Sequence, residues 1–291
     1  MGDFYKLIRP YQYTKNLFVF LPAFFAFQIL EPRVLAEAFI AFLAFSAIAS
    51  AVYIINDWFD RFEDAKHPDK SNRPIATGRV SGRMAIFYVL VLLAAGILLS
   101  VSLTVEVTAL LLFYFVLNIA YSIWLKHVAI VDISIISLGF VLRLFVGAQA
   151  TSIELSHWII VMTFLLALFL ALAKRRDDVL IYLNTDQKMR KVIDGYNLKF
   201  LDSSMVMTAS ITVLAYILWS ISPEVVSRLG SGNLYLTSVF VVLGVLRYLQ
   251  ITLVDEVSGN PSKILLRDRF IQWTLLGWLL CFVLILYART L

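Results

Sequence analysis

Apolar runs at 14–31, 34–56, 83–103, 106–124, 128–150, 157–173, 203–222, 233–251 and 270–289 divide the chain of 291 residues. Most are long enough to cross a hydrocarbon core about 30 Å thick. In lipid, every backbone N–H and C=O must find its partner inside the protein, which leaves helices as the natural solution for segments of this length. The expected fold is therefore all-α: a polytopic membrane protein of nine transmembrane helices forming one domain over 1–291. Composition agrees, because 15% of residues are charged where a soluble domain carries about 25%.

The loops sort by charge. With the N-terminus placed in the cytosol, Arg33, Arg228 and Arg289 are the basic residues left on the far side and Arg143 lies within the fifth run, out of 25 Lys and Arg. The positive-inside rule then predicts a multi-pass protein of the inner (cytoplasmic) membrane, with its N-terminus and the long loops 57–83 and 174–202 in the cytosol. A net charge of +5 reflects this topology and gives no reason to expect nucleic acid as a partner. Lys6 stands where a myristoylation signal needs Ser or Thr, and no small-residue cleavage site follows the first run, so neither lipidation nor a removable signal is expected. Cys281 is the sole cysteine, and the three histidines lack zinc-type spacing. Disulfide, Cys-metal and His-based hydrolytic chemistry are thereby disfavoured.

The second run ends in Asn56-Asp57-x-x-Asp60-x-x-x-Asp64. At about 100° per residue these side chains share one arc of a helix. Carboxylates so close repel one another unless a cation intervenes, and an all-oxygen donor set suits magnesium, which bridges carboxylates to substrate phosphates. Carboxylates beginning inside an apolar helix are too expensive to be incidental. A basic stretch follows, with Lys66, Lys70 and Arg73 placed to neutralise a metal-bound diphosphate. The second long loop opens Lys174-Arg175-Arg176-Asp177-Asp178 and runs on to Tyr196. Its cations act either as a topology anchor or as the other half of an anion cradle, and Asp177 or Asp178 could add metal ligands. Arg143 either binds a substrate phosphate or pairs with a buried carboxylate such as Asp132. Lys126 is a phosphate contact or a snorkelling anchor. Lys15 and Asn16 belong to an interfacial belt or turn into the polar cavity.

Taken together, the nine runs, Asn56-Asp57-x-x-Asp60-x-x-x-Asp64 and Tyr121-Ser122-x-x-Leu125-Lys126 resemble the UbiA superfamily of intramembrane prenyltransferases over nearly the whole chain. Most members transfer a prenyl group from a prenyl diphosphate, using two aspartate-rich motifs that hold magnesium. The second motif departs here, being replaced by Lys174-Arg175-Arg176-Asp177-Asp178. That departure, with Arg9-Pro10-x-Gln12-x-x-Lys15-Asn16, His67-Pro68-x-Lys70-x-x-Arg73-Pro74 and Gly139-Phe140-x-Leu142-Arg143, resembles the decaprenyl-phosphate phosphoribosyltransferase branch. The resemblance implies transfer of 5-phosphoribose from phosphoribosyl pyrophosphate to a polyprenyl phosphate. It further implies Mg2+ as cofactor on Asn56, Asp60 and Asp64, with Asp60, Asp64 and Arg143 as catalytic residues. Substrate contacts are then expected from Lys15, Asn16, Asp57, Lys66, Lys70, Arg73, Lys126, Arg143, Lys174, Arg175 and Tyr196. A prenyltransferase acting on an aromatic or lipid acceptor is the alternative, and a transporter the remoter one. A homo-oligomer is compatible with the sequence, though no residue argues for it.

Overall fold

The computed structural model describes residues 2–65, 70–185, 191–256 and 261–287. α1 (Gly2–Ile8), a 3-10 helix (Pro10–Phe20) and α2 (Leu21–Phe25) lead into α3 (Pro32–Phe59) and the single turn α4 (Arg61–Asp64). There follow α5 (Gly82–Val101), α6 (Val105–Ile123), a 3-10 turn (Leu125–His127), α7 (Val131–Thr151) and α8 (His157–Thr185). A 3-10 turn (Lys191–Gly195) precedes α9 (Leu198–Ser220), α10 (Pro223–Leu229), a 3-10 turn (Asn233–Thr237), α11 (Ser238–Leu253), α12 (Pro261–Arg267) and α13 (Arg269–Tyr287).

The all-α class is as expected, but the count of nine long helices is not reproduced. Among the described residues, 7 helices are long and apolar enough to cross a membrane: Pro32–Phe59, Gly82–Val101, Val105–Ile123, Val131–Thr151, His157–Thr185, Leu198–Ser220 and Asn233–Leu253. The ninth expected run gives a shorter apolar helix, Arg269–Ile285. The first forms no long α-helix, because Arg9 takes a left-handed conformation (φ 51°) ahead of Pro10 and the chain continues as 3-10 helix. α5 illustrates the lipid-facing character of these elements, with Ile86, Phe87, Leu90 and Leu98 all exposed.

Two compact units make up the chain, Met1–Lys126 with Leu138–Ser156, and His127–Ser137 with His157–Leu291. In the first, small residues on α3 let neighbours approach: a Cβ on Gly96 of α5 would lie 2.7 Å from the Ile48 side chain and 3.2 Å from the Ala44 carbonyl. Close backbone packing of this kind replaces the hydrophobic effect, which is absent between helices in lipid. The core of this unit joins Val19, Ala44, Phe45, Ile48, Leu111 and Val146. In the second unit, Phe169, Leu172, Leu201, Met205, Tyr248 and Ile251 form the corresponding core.

The 3-10 helix has a physical reason. With three residues per turn, Tyr13, Asn16 and Val19 fall on one face, and each turn rises about 6 Å. Four residues of an α-helix also rise about 6 Å. Tyr13 and Asn16 accordingly meet Ser50 and Ser46 of α3, four positions apart, each at 2.9 Å. Val19 is fully buried on the same face, and its carbonyl lies so near Gly147 of α7 that a Cβ there would sit 2.0 Å from the oxygen. Gly147→Ala must therefore push α7 off the 3-10 helix. The expected loss of stability is about 1–3 kcal/mol, read as a lowered unfolding midpoint of the purified protein in detergent.

Candidate active site

The first unit carries the acidic motif at the end of α3. The helix closes at Phe59, and the chain continues through Asp60, whose N–H still bonds to the Asn56 carbonyl at 2.9 Å, into α4. The helical path is thus nearly continuous across the motif. The carboxylates nonetheless do not close on one another, because basic side chains stand between them. Asp57 is buried (2% exposed) and takes Arg9 together with Arg73 Nη1 at 2.9 Å. The same Arg73 nitrogen lies 2.6 Å from Asp64 Oδ2, with Lys70 at 3.9 Å from its Oδ1. Asp60 pairs with Lys126 through Oδ1, while its Oδ2 accepts from Asn56 Nδ2 at 3.1 Å. The side-chain oxygen of Asn56, Oδ1, in turn accepts from Ser122 Oγ at 3.2 Å.

The loop that supplies Lys70 and Arg73 is fixed at its base. Val80 N donates to the Pro74 carbonyl at 3.1 Å. Ile75 and Val80 are buried against Leu7, Ile54 and Ala85. Lys66 lies outside the described residues.

Twelve residues below the acidic motif, Phe45 on α3 contributes to a second polar point in the same unit. Arg143 is 4% exposed. Its Nε donates to Asn16 Oδ1 at 2.9 Å and its Nη1 to the Gly139 carbonyl at 2.6 Å. The guanidinium lies over Phe45, Tyr114 and Phe140 at 4.5, 5.4 and 5.3 Å. Unlike Arg9 and Arg73, it has no carboxylate partner among the described residues. Lys15, half-buried, precedes Asn16 on the 3-10 helix.

In the second unit the basic cluster is divided. Lys174 is exposed, whereas Arg175 is among the largest fully buried side chains. Its Nε lies 2.6 Å from Asp132 Oδ2 and its Nη1 2.5 Å from Asp178 Oδ2. Arg176 Nε reaches Asp202 at 2.7 Å and its Nη1 the Thr252 carbonyl at 2.8 Å. Asp132 therefore belongs with Arg175, and the alternative pairing of Asp132 with Arg143 is set aside. The Tyr196 hydroxyl donates to Asp132 Oδ1 at 2.6 Å and accepts from Ile130 N at 2.7 Å. Burial first, and then the bond to Asp132, push the Tyr196 phenol above its ordinary range, so it stays protonated as the donor this geometry requires. Ile130 is held at φ 69°, a left-handed conformation costing a β-branched residue about 1–2 kcal/mol.

Sequence reading named Asp132 as a buried carboxylate but offered Arg143, not Arg175, as its partner; the signal was a carboxylate within an apolar run, where an unpaired charge is not tolerated. Arg9 entered only within the motif Arg9-Pro10-x-Gln12-x-x-Lys15-Asn16, with no pairing to Asp57 expected.

The donor set at Asn56, Asp60 and Asp64 fits a hard divalent cation by its chemistry, all oxygen and largely anionic. Among the described residues no three His, Cys, Asp or Glu side chains stand together as a ready metal cluster.

The UbiA prenyltransferase family matches residues 17–275, and the chain belongs to that family as an integral multi-pass membrane protein. It is 33% identical to the decaprenyl-phosphate phosphoribosyltransferase of Corynebacterium glutamicum, over 97% of this chain and 86% of that protein. The enzyme of the same name from Mycolicibacterium smegmatis is 32% identical, over 94% of this chain and 89% of that one. In fold, the chain is similar to a UbiA homolog from Archaeoglobus fulgidus bound to DMAPP and Mg2+, with a TM-score of 0.72, 21% identity and coverage of 97% and 99% of the two chains.

Two substitutions test the buried network of the second unit. Asp132→Ala leaves Arg175 without its buried partner and is expected to cost about 3–5 kcal/mol. Tyr196→Phe removes two hydrogen bonds, the one donated to Asp132 and the one accepted from Ile130 N, and leaves Ile130 N unsatisfied, costing about 1–3 kcal/mol. Denaturant unfolding in detergent, compared with the unmodified protein, checks both the order and the size.

Proposed function

We propose that this chain transfers the 5-phosphoribosyl group of phosphoribosyl pyrophosphate to a polyprenyl phosphate, releasing diphosphate. The observation that carries this reading is the likeness to decaprenyl-phosphate phosphoribosyltransferases along nearly the whole chain. The geometry supports it in one respect. A reaction between two phosphorylated substrates needs cations beyond those that neutralise a departing diphosphate, and Arg143 is a buried cation whose partners among the described residues are all neutral. A carboxylate-free arginine in an apolar cage is poised for an anion brought by a ligand.

Asp60 and Asp64, with Asn56, hold the metal-bound diphosphate end of the donor. Magnesium there supplies charge stabilisation to the leaving diphosphate. Lys70, Arg73 and Lys126 neutralise its remaining oxygens, together with Lys66. Arg143, oriented by Asn16 and beside Lys15, holds a substrate phosphate. Lys174, exposed on α8, contributes a further phosphate contact, with Arg175 and Tyr196 fixing the part of α8 that carries it. A phosphate oxygen of the acceptor attacks ribose C1 as the bond from C1 to the diphosphate oxygen breaks, its electron pair leaving with diphosphate. The product has inverted configuration at C1. An ionised phosphate is its own nucleophile, so the protein's task is positioning and neutralisation, without a general base. The distribution of Lys and Arg supports a cytosolic N-terminus and cytosolic long loops at the inner membrane.

A second reading, transfer of a prenyl group from a prenyl diphosphate, is favoured by the fold neighbour bound to DMAPP and Mg2+. One experiment separates the two. Purified protein with Mg2+ and a polyprenyl phosphate is given phosphoribosyl pyrophosphate, or a prenyl diphosphate with an aromatic acceptor. Formation of a lipid-linked phosphoribose is the expected result, and prenyl transfer with no sugar transfer sinks the proposal. Asp60→Ala should lower turnover by about 10²-fold or more while the protein still elutes as a folded species.

A further inference from the structure

The first unit's acidic motif is nearly charge-balanced before any ligand arrives. Asp57, Asp60 and Asp64 are met by Arg9, Arg73 and Lys126 in direct ion pairs, and Lys70 stands 3.9 Å from Asp64. The pairs differ in kind. Asp57 is wholly buried, bonded by two arginines, one of which comes from the strained turn ahead of the 3-10 helix. Lys126 and Asp60 are partly exposed, with side-chain exposures of 13% and 22%, and Arg73 is 25% exposed. Asp57 is held from both sides by arginines, while Lys126 sits on Asp60, the most exposed carboxylate of the three, and Arg73, a quarter exposed, covers the buried Asp64; these two cations can be exchanged.

We infer that Lys126 and Arg73 are resident counter-ions of Asp60 and Asp64, and that metal and diphosphate bind by a joint exchange in which these cations pass from carboxylate to phosphate. This rests on the reading of the motif as a metal–diphosphate site and adds how that site fills. A divalent cation arriving alone must displace Lys126 from Asp60 and Arg73 from Asp64, leaving both basic groups uncompensated beside a doubly charged ion. Diphosphate arriving alone meets carboxylates, and the cations it needs are already engaged. When both arrive, the metal takes Asp60 and Asp64, and Lys126 and Arg73 turn to the phosphate oxygens, so no charge is left unmatched. Linkage then requires each ligand to tighten the other by the same factor. Lys126 is thereby a specificity determinant: it disfavours occupancy by a bare divalent cation and rewards the complexed one.

The test uses the full-length protein in detergent, with Mn2+ as a paramagnetic stand-in for magnesium and inorganic pyrophosphate as the anion. Binding of Mn2+ alone is read by electron paramagnetic resonance, and that of pyrophosphate, at saturating Mn2+, by calorimetry. Lys126→Met should tighten Mn2+ alone by about fivefold or more and weaken pyrophosphate by a comparable factor. Lys126→Arg should behave like the unmodified protein in both. Should Lys126→Met fail to fold, Lys126→Gln removes the same charge while keeping a hydrogen-bond donor. Unchanged or weaker Mn2+ binding when the charge is removed overturns the inference. Pyrophosphate is the leaving group of either donor class, so this outcome is independent of whether phosphoribose or a prenyl group is transferred, which the product assay decides separately.

Discussion

Ion pairing in a low-dielectric surrounding is the constraint from which the rest follows. A charge at the end of a long apolar helix is stable only if its partner is built into the same structure. This chain meets that demand in two centres, the Asp57–Asp64 end of α3 and the Asp132–Arg175 pair joining α7 and α8. The first is layered, with the Asp57 carboxylate enclosed and Asp60 reaching toward solvent. The second is enclosed on almost every side, and its remaining lone pairs are occupied by Tyr196. Enclosure makes the second centre a structural fixture. Partial exposure leaves the first within reach of a ligand, as the proposed function requires.

Arg143 completes the contrast. Asn16 and Gly139 give its guanidinium direction without neutralising it, and three aromatic rings surround it with π-faces worth about 0.5–2 kcal/mol each to a cation. Such a residue is held in place at little expense in specificity, because rings do not compete with an incoming phosphate for its hydrogen bonds. A carboxylate in the same position would satisfy the arginine and close it to ligands.

Much of this was legible in the sequence, and what was not has a common cause. Apolar run length gave the class, and the spacing of Asn56, Asp57, Asp60 and Asp64 gave the acidic centre, since both are local along the chain. Partner choice is not local. Lys126 lies 66 positions from Asp60 and Arg9 lies 48 from Asp57, so neither pairing leaves a mark on spacing, and a basic residue at a helix end reads equally as a topology anchor. The Lys174-Arg175-Arg176 run shows the same limit. Three adjacent cations look alike in sequence, yet one is exposed while two are buried on separate carboxylates. The count of nine long helices is not reproduced for a different reason, since hydropathy reports length in residues whereas a membrane is crossed in ångströms.

That distinction bears on the 3-10 helix at Pro10–Phe20. Its eleven residues, at about 2.0 Å each, and the five of α2, at about 1.5 Å each, reach about 30 Å end to end, the thickness of a hydrocarbon core. Sixteen residues thus cover a distance that takes an α-helix about twenty, and the segment has no slack. Its register against α3 works like a vernier, three residues on one scale to four on the other. One inserted residue advances the scale by about 2 Å and turns it by about 120°, carrying Asn16 away from Ser46 and Arg143 at once. Length here is as much a part of the active-site design as any side chain, and relatives that keep this arginine in place are expected to keep the residue count before it.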